Sequence, residues 1–242
     1  MDKSTNSASC FYESFWVDAT YQQAYAFDSA IRDRFPAIQK VWGGLVSPKR
    51  VLDFGSGNGV LTYWMHCNGF GESILGVDVS NTGVANARAV FACEGLRYEH
   101  VDFLASSLGE EKFDVVVSSH VLEHIPEPEK VLVQLRDMSD WFVLEVPLEK
   151  CLWPDMSYTL RGKQRHENPL GHVNFWTKAS FRKFLEENGF LIVRDYHYAS
   201  APYSPYNSFL KRIIERMLLR IVGLEAYSRV MATHYIVLAR RR

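Results

Sequence analysis

The chain of 242 residues has few cysteines and no two of them close together. Cys10, Cys67, Cys93 and Cys151 are scattered without a C-x-x-C pair. That excludes a zinc knuckle and a disulfide framework, and it predicts reduced thiols in a cytoplasmic protein. A charge excess is also missing: 27 Lys and Arg stand against 28 Asp and Glu, for a formal charge of −1. Global attraction to nucleic acid is therefore not expected. No window supplies the ~18 uncharged apolar residues of a membrane span. The opening "MDKSTNSASCFYESF" lacks the basic-then-apolar order of a signal peptide. Internal repeats and low-complexity tracts are absent as well.

What is present looks like an ordinary globular domain, 47% apolar and 23% charged. Five valine-rich runs have the length of strands: "RVLDF" (50–54), "SILGVDV" (73–79), "LRYEHVDF" (96–103), "KFDVVVSS" (112–119) and "DWFVLEV" (140–146). Helix-like segments, 59–69 and 81–95, separate the first three, and a glycine closes each. Strand–helix alternation predicts right-handed crossovers and an α/β parallel sheet covered on both faces. Residues 11–46 are aromatic-rich and read as helical.

The tail differs. "TKASFRKFLEENG" (177–189) reads as a helix with Thr177 as N-cap, and "FLIVRDYHY" (190–198) and "THYIVLARR" (233–241) read as strands. Between them, "SFLKRIIERMLLRIVG" (208–223) places Leu210, Ile213, Ile214, Met217, Leu218 and Ile221 on one helical stripe. Lys211, Arg212, Arg216 and Arg220 lie largely off it. Such a helix packs on the domain, covers an acceptor pocket, or makes peripheral membrane contact through 208–223.

The stretch "VLDFGSGNGV" (51–60) ends a strand in three glycines. In α/β sheets, ligands bind at the carboxyl ends of strands. A dinucleotide fingerprint, G-x-G-x-x-G, would need a glycine where Val60 stands, and a P-loop would need a lysine that is missing. The pattern that remains is D-x-G-x-G-x-G, Asp53 to Gly59. It resembles the first motif of the class I S-adenosylmethionine (SAM) dependent methyltransferases. The glycines allow close backbone approach to a methionine end, and an acid beneath them can balance its ammonium. Further strand ends match in order: Asp78 in "GVDVS", Asp102 in "HVDF", and "FDVVVSSHVLEHIPEPEKVLVQL". The resemblance covers about residues 45–195.

The resemblance implies a Rossmann-like seven-stranded, mostly parallel sheet of order 3-2-1-4-5-7-6, with the last strand antiparallel. It implies S-adenosyl-L-methionine as cofactor. Asp53, Gly55, Ser56, Gly57 and Gly59 would serve the methionine end, Asp78 and Val79 the ribose, Asp102 and Phe103 the adenine, with Ser119 and His120 nearby. The expected organisation is a helical cap, 1–46, and a methyltransferase domain, 47–242, with a helical insertion, 201–230. "VLEHI" (121–125) and "GHVNFWT" (171–177) most resemble small-molecule methyltransferases of the quinone-biosynthesis type.

Methyl transfer is an in-line displacement that needs mainly positioning, plus a base when the acceptor is a hydroxyl. His172 and His124 are the candidate catalytic residues, with His166 a further histidine in the long loop 149–176. Arg161, Lys163 and Arg165 in that loop suit either an anionic acceptor or solvent. His120–His124 spells H-x-x-E-H, an inverted zinc-protease motif. That motif requires a helix, whereas here it directly follows a strand, so no metal is expected. The motifs of adenine or glutamine N-methylation and of cytosine C5-methylation do not follow the fourth strand. A small-molecule acceptor, methylated at a hydroxyl oxygen, is the leading reading. N- or C-methylation and an inactive scaffold of the same fold are the alternatives.

Overall fold

The structure is a computed structural model describing residues 19–102, 111–160, 162 and 170–242. Seven strands form one sheet: β1 (Arg50–Phe54), β2 (Ser73–Asp78), β3 (Leu96–His100), β4 (Val115–Ser119), β5 (Trp141–Leu148), β6 (Phe190–Tyr198) and β7 (Thr233–Arg241). Their order is β3-β2-β1-β4-β5-β7-β6. β1 lies inside the sheet, with Leu52 opposite Leu75 of β2 on one side and Val116 of β4 on the other, both parallel. β7 runs antiparallel to β5 and to β6, between them. The topology is the one that the resemblance implied.

Both faces of the sheet are buried, which is why its strands read as runs and not as alternation. Val51, Val115, Val117, Val143, Ile236 and Leu238 face a layer that includes α2 (Phe35–Trp42), α3 (Val60–Cys67) and α4 (Asn81–Val90). Leu52, Phe54, Val116, Phe142, Leu144 and Val237 face the opposite way, under α5 (Pro128–Arg136) and α7 (Lys178–Glu187). Each fully buried aliphatic or aromatic side chain contributes roughly 1.5–3 kcal/mol.

Helix ends explain one departure from expectation and one agreement with it. α4 stops at Val90, before Gly95, because Phe91 turns inward, stacks on Tyr63 at 4.9 Å and meets Phe27 edge-on. The tail helix keeps its expected start: the Thr177 hydroxyl accepts from the Ser180 backbone N–H, and the Ser180 hydroxyl accepts from the Thr177 N–H.

The N-terminal segment is not one continuous α-helix. α1 (Ala19–Ser29) passes through a π-helical turn, Ala30–Arg34, into α2. Pro36 has no N–H to continue the ladder, and the Phe35 N–H reaches back five residues to the Ala30 carbonyl. The extra residue in that turn aims Asp33 and Arg34 at the carboxyl end of the sheet. α6 (Leu152–Leu160) follows β5, and α8 (Phe209–Val230) fills the hairpin between β6 and β7. α8 runs beyond the expected 208–223 but is broken at Gly223, where φ is +75°.

Candidate active site

The carboxyl ends of β1, β2, β4 and β5 open into one cavity of about 1150 Å³. Single-ligand pockets usually occupy roughly 300–1,000 Å³, so this space suits a cofactor together with an acceptor. Asp53, Gly55, Ser56, Gly57, Asp78, Val79, Asp102, Ser119, His120, His124 and His172 all line it. Gly59 does not. Its φ is +80°, and an added Cβ would sit 2.7 Å from Ala87 and 2.8 Å from the Tyr98 ring. Gly59 therefore lets β3 and α4 pack closely, the duty that a dinucleotide fingerprint assigns to the next position. Phe103, His166, Arg161, Lys163 and Arg165 lie outside the described residues.

One half of the cavity is made of loop backbone. The N–H groups of Gly55 and Ser56 donate to the Val77 carbonyl, at 2.8 and 2.9 Å, and so tie the loop to β2. A Cβ on Gly55 would lie 2.2 Å from Val121 Cγ2, so the loop can pass the end of β4 only as glycine. The Asp78 carboxylate bridges both loops, accepting from Gly57 N at 2.8 Å and from Ser80 N at 2.8 Å. Asp53 is buried and accepts from Thr62 Oγ1 at 2.6 Å. Burial raises its pKa to about 6, against the pull of the Thr62 bond. With Asp53, Asp78 and Asp102 on one wall, this half repels a pyrophosphate and suits a cationic, polyhydroxylated ligand.

The other half is built from side chains. His120 ends β4 with φ +59°, a conformation uncommon outside glycine. Its backbone N–H donates to the Glu145 carbonyl at 3.1 Å. The ring places Nδ1 3.2 Å from Glu123 Oε1 and Nε2 3.8 Å from Glu145 Oε1. Burial would lower the His120 pKa, but bonding to Glu123 and Glu145 outweighs it and raises the value to about 9. Glu145, likewise opposed by burial, is drawn down to about 2 by His120. Glu145 also accepts from Ser119 Oγ at 2.6 Å and from the Tyr198 hydroxyl. His234 stays neutral, its pKa lowered by burial and by His120 to about 3. An imidazolium at His120 thus donates from Nε2 to His234 Nδ1 at 3.1 Å, and His234 Nε2 meets Ser200 Oγ at 2.9 Å.

The two resembling motifs meet here. The N–H groups of Val173 and Asn174 donate to the Glu123 carbonyl, at 2.8 and 2.9 Å. The Asn174 amide donates to the carbonyls of Leu122, at 3.1 Å, and Ile125, at 2.6 Å. "GHVNFWT" is therefore stapled onto "VLEHI", and His172 and His124 stand ring to ring at 4.6 Å. His172 is buried, with Nδ1 2.5 Å from Glu149 Oε2. Burial lowers the His124 pKa to about 4, and its Nδ1 faces the Gly171 carbonyl at 3.4 Å.

Residues 122–124 make a single 3-10 turn, so the zinc-protease spacing has no helix to act on. Donor atoms nonetheless converge: His120, Glu145 and His234 lie within 4.8 Å of one another, as do Glu123, His124 and His172. Arg34, Glu149, Tyr198 and His234 also line the cavity, with Glu145 buried behind His120, and none was singled out by sequence. Arg34 Nε donates to Ser29 Oγ at 3.2 Å, and its charge acts on Asp53, His120 and Glu145.

A strand order of 3-2-1-4-5-7-6 with a glycine loop and acids at the strand ends defines the class I methyltransferase fold. The chain belongs to the Methyltransferase domain family, which matches residues 22–194. It is similar to the ubiquinone biosynthesis O-methyltransferase of Pseudomonas putida, 34% identical over 87 residues, 35% of this chain and 37% of that protein. The same enzyme of Nitrosomonas europaea is 31% identical over 102 residues, 41% of this chain and 42% of the other. The matched region thus spans well under half the length of these curated relatives. Among solved structures, magnesium protoporphyrin IX methyltransferase of Synechocystis PCC 6803 with bound SAH gives a TM-score of 0.62. It is 17% identical and covers 98% of this chain and 99% of its own. An S-adenosylmethionine dependent methyltransferase of Mesorhizobium loti gives 0.56 at 21% identity, over 86% and 97%. At such identities the likeness is one of fold. No helix among the described residues is long and apolar enough to cross a membrane.

Proposed function

We propose that this chain transfers a methyl group from S-adenosylmethionine to a hydroxyl oxygen of a small molecule. The observation that carries the acceptor atom is the His172–Glu149 pair, which shares one cavity with the glycine loop. S-adenosylmethionine supplies an electrophilic methyl carbon on a sulfonium. Asp53 and the loop glycines would hold its ammonium and Arg34 its carboxylate, with Asp78 on the ribose hydroxyls and Asp102 and Phe103 on the adenine. Glu149 accepts the His172 Nδ1 proton, so the base form of the ring presents Nε2 for the acceptor's proton. His120, held as an imidazolium, cannot serve as that base, and at a pKa of about 4 His124 is a weak one.

The division into a cap, 1–46, and a domain, 47–242, with an insertion, 201–230, belongs to the same proposal. So does a cytoplasmic setting, where Cys67, Cys93 and Cys151 stay free. A screen of labelled S-adenosylmethionine against matched phenols, alcohols and amines tests the reading. Product from hydroxylated acceptors supports it. Product from amines alone would assign N-methylation, and cofactor binding without turnover on any acceptor would assign a scaffold.

A further inference from the structure

The long helix in the tail is packed inside out. Glu215 is 4% exposed, whereas Leu210, Ile214, Met217 and Ile221 are 66, 56, 59 and 77% exposed. Their spacing places them along one outward stripe. Phe209, at the start of the helix, is exposed as well. α6 packs against α8 and adds Leu152, Trp153, Met156 and Leu160, all exposed. Ordinary surfaces scatter such side chains singly, and a contiguous set marks a contact.

Charge identifies what the face meets. Lys211, Arg216, Arg220 and Arg229 are exposed and Arg212 half-buried; of the helix's two acids, Glu215 is turned inward and Glu225, beyond the break at Gly223, is exposed. Burial raises the Glu215 pKa, with Lys211 opposing. On α6, Asp155 is the one exposed acid. Two copies of so basic a face would repel each other. A surface of anionic lipid would attract it and take up the apolar stripe. The face also borders the cavity, since Asn207 and Lys211 at the start of α8 line both.

We propose that the α6–α8 face docks the protein on an anionic lipid surface. Docking rests on exposure and charge, not on the acceptor assigned above. The expected result is co-sedimentation of the full chain with phosphatidylcholine vesicles containing phosphatidylglycerol, several-fold above that with phosphatidylcholine alone. Raising salt from about 0.05 to about 0.5 M should remove most of that difference. Ile214→Ser with Met217→Ser should cut binding at least about tenfold, since each loses several buried methylenes in the lipid. Both side chains are more than half exposed, so the thermal midpoint should hold. If that pair melts early, Arg220→Glu alone reads the electrostatic part, and Trp153→Ser the α6 part. Binding that ignores lipid charge, or no binding at low salt, overturns the proposal. So does a concentration-dependent dimer in sedimentation velocity that the double substitution abolishes, because the face would then serve a second copy.

Discussion

The two halves of the cavity are built by opposite means. In the half around the glycine loop, the proposed cofactor half, backbone does the holding: Gly55, Ser56, Gly57 and Ser80 spend their N–H groups on Val77 and Asp78, all within residues 55–80. In the half built of side chains, which we propose as the acceptor half, side chains from distant segments meet. Glu145 takes Ser119, twenty-six residues away, and Tyr198, fifty-three away, while His120 reaches His234 across 114. A ligand common to a whole family can be met by local backbone geometry. A ligand that distinguishes one member needs side chains that can be exchanged without disturbing the loop. On the proposed function, affinity for the cofactor and choice of acceptor are therefore separable in this chain.

The sharpest way to break that separation is at His172. His172→Ala should lower kcat ~10²–10⁴-fold with S-adenosylmethionine affinity nearly unchanged, because a general base is removed. Steady-state kinetics beside calorimetry reads both. Equal loss of cofactor binding would make His172 an anchor between the halves and refute its chemical role. Glu149→Gln should cost less, about tenfold in kcat, since orientation weakens while the ring remains.

On the other side, Asp78→Ala should weaken cofactor binding by about 3 kcal/mol or more, as a charge-assisted acceptor is lost. Asp78→Asn should retain part of it. Unchanged affinity in the alanine variant would mean that the carboxylate serves only the Gly57 and Ser80 amides.

A smaller effect should appear with pH. The free protein holds a proton on Asp53 up to about pH 6. A bound ammonium favours the carboxylate, so binding expels that proton, and affinity should fall as pH drops below the same value. The slope approaches about tenfold per pH unit and should flatten in Asp53→Asn. A slope that persists in the variant places the titrating group elsewhere.

The smallest effect concerns stability. His120 is raised from 6.5 to about 9 on folding, so its contribution is complete below pH 6.5 and is lost as pH rises through 9. Glu145 is lowered from 4.5 to about 2, so its contribution is present above 4.5 and is lost as pH falls through 2. Denaturant unfolding should show stability dropping by on the order of 1–3 kcal/mol between neutral and strongly alkaline pH. His120→Asn keeps a residue tolerant of positive φ and should remove that slope. If the slope survives, His120 is not the imidazolium that organises the acceptor half.

The same contrast explains what the sequence discloses. β6 and β7 match their runs residue for residue, because each is bounded by a glycine, a turn or a charge cluster. Asp53, Asp78 and Asp102 stand at strand ends in a fixed order, so a linear pattern finds them. Arg34, Glu145, Tyr198 and His234 carry no such mark. Arg34 depends on a π-helical turn beside Pro36, and Glu145 sits inside the buried strand β5, where an acid is visible in "VLEVP" but its partners are not. Gly59 shows a further limit of the linear pattern. A glycine needed for packing and one needed for a ligand look alike until the Tyr98 ring is seen against it. Exposure was equally hidden: the stripe from Leu210 to Ile221 is plain in the sequence, yet only the burial of Glu215 shows which way it points.

β7 follows every other strand in the sequence yet lies between β5 and β6. During synthesis, β5 and β6 are therefore made before their shared neighbour, and Leu191 and Ile192 of β6 lack the Arg240 and Ala239 partners that they have in the finished sheet. A nascent chain in this state exposes two unpaired edges, the condition that recruits holding chaperones and invites wrong pairing. When residues 233–241 arrive, they close both edges at once, and the same strand delivers His234 to the acceptor half. On the proposed function, the late strand thus ties completion of the site to completion of the sheet.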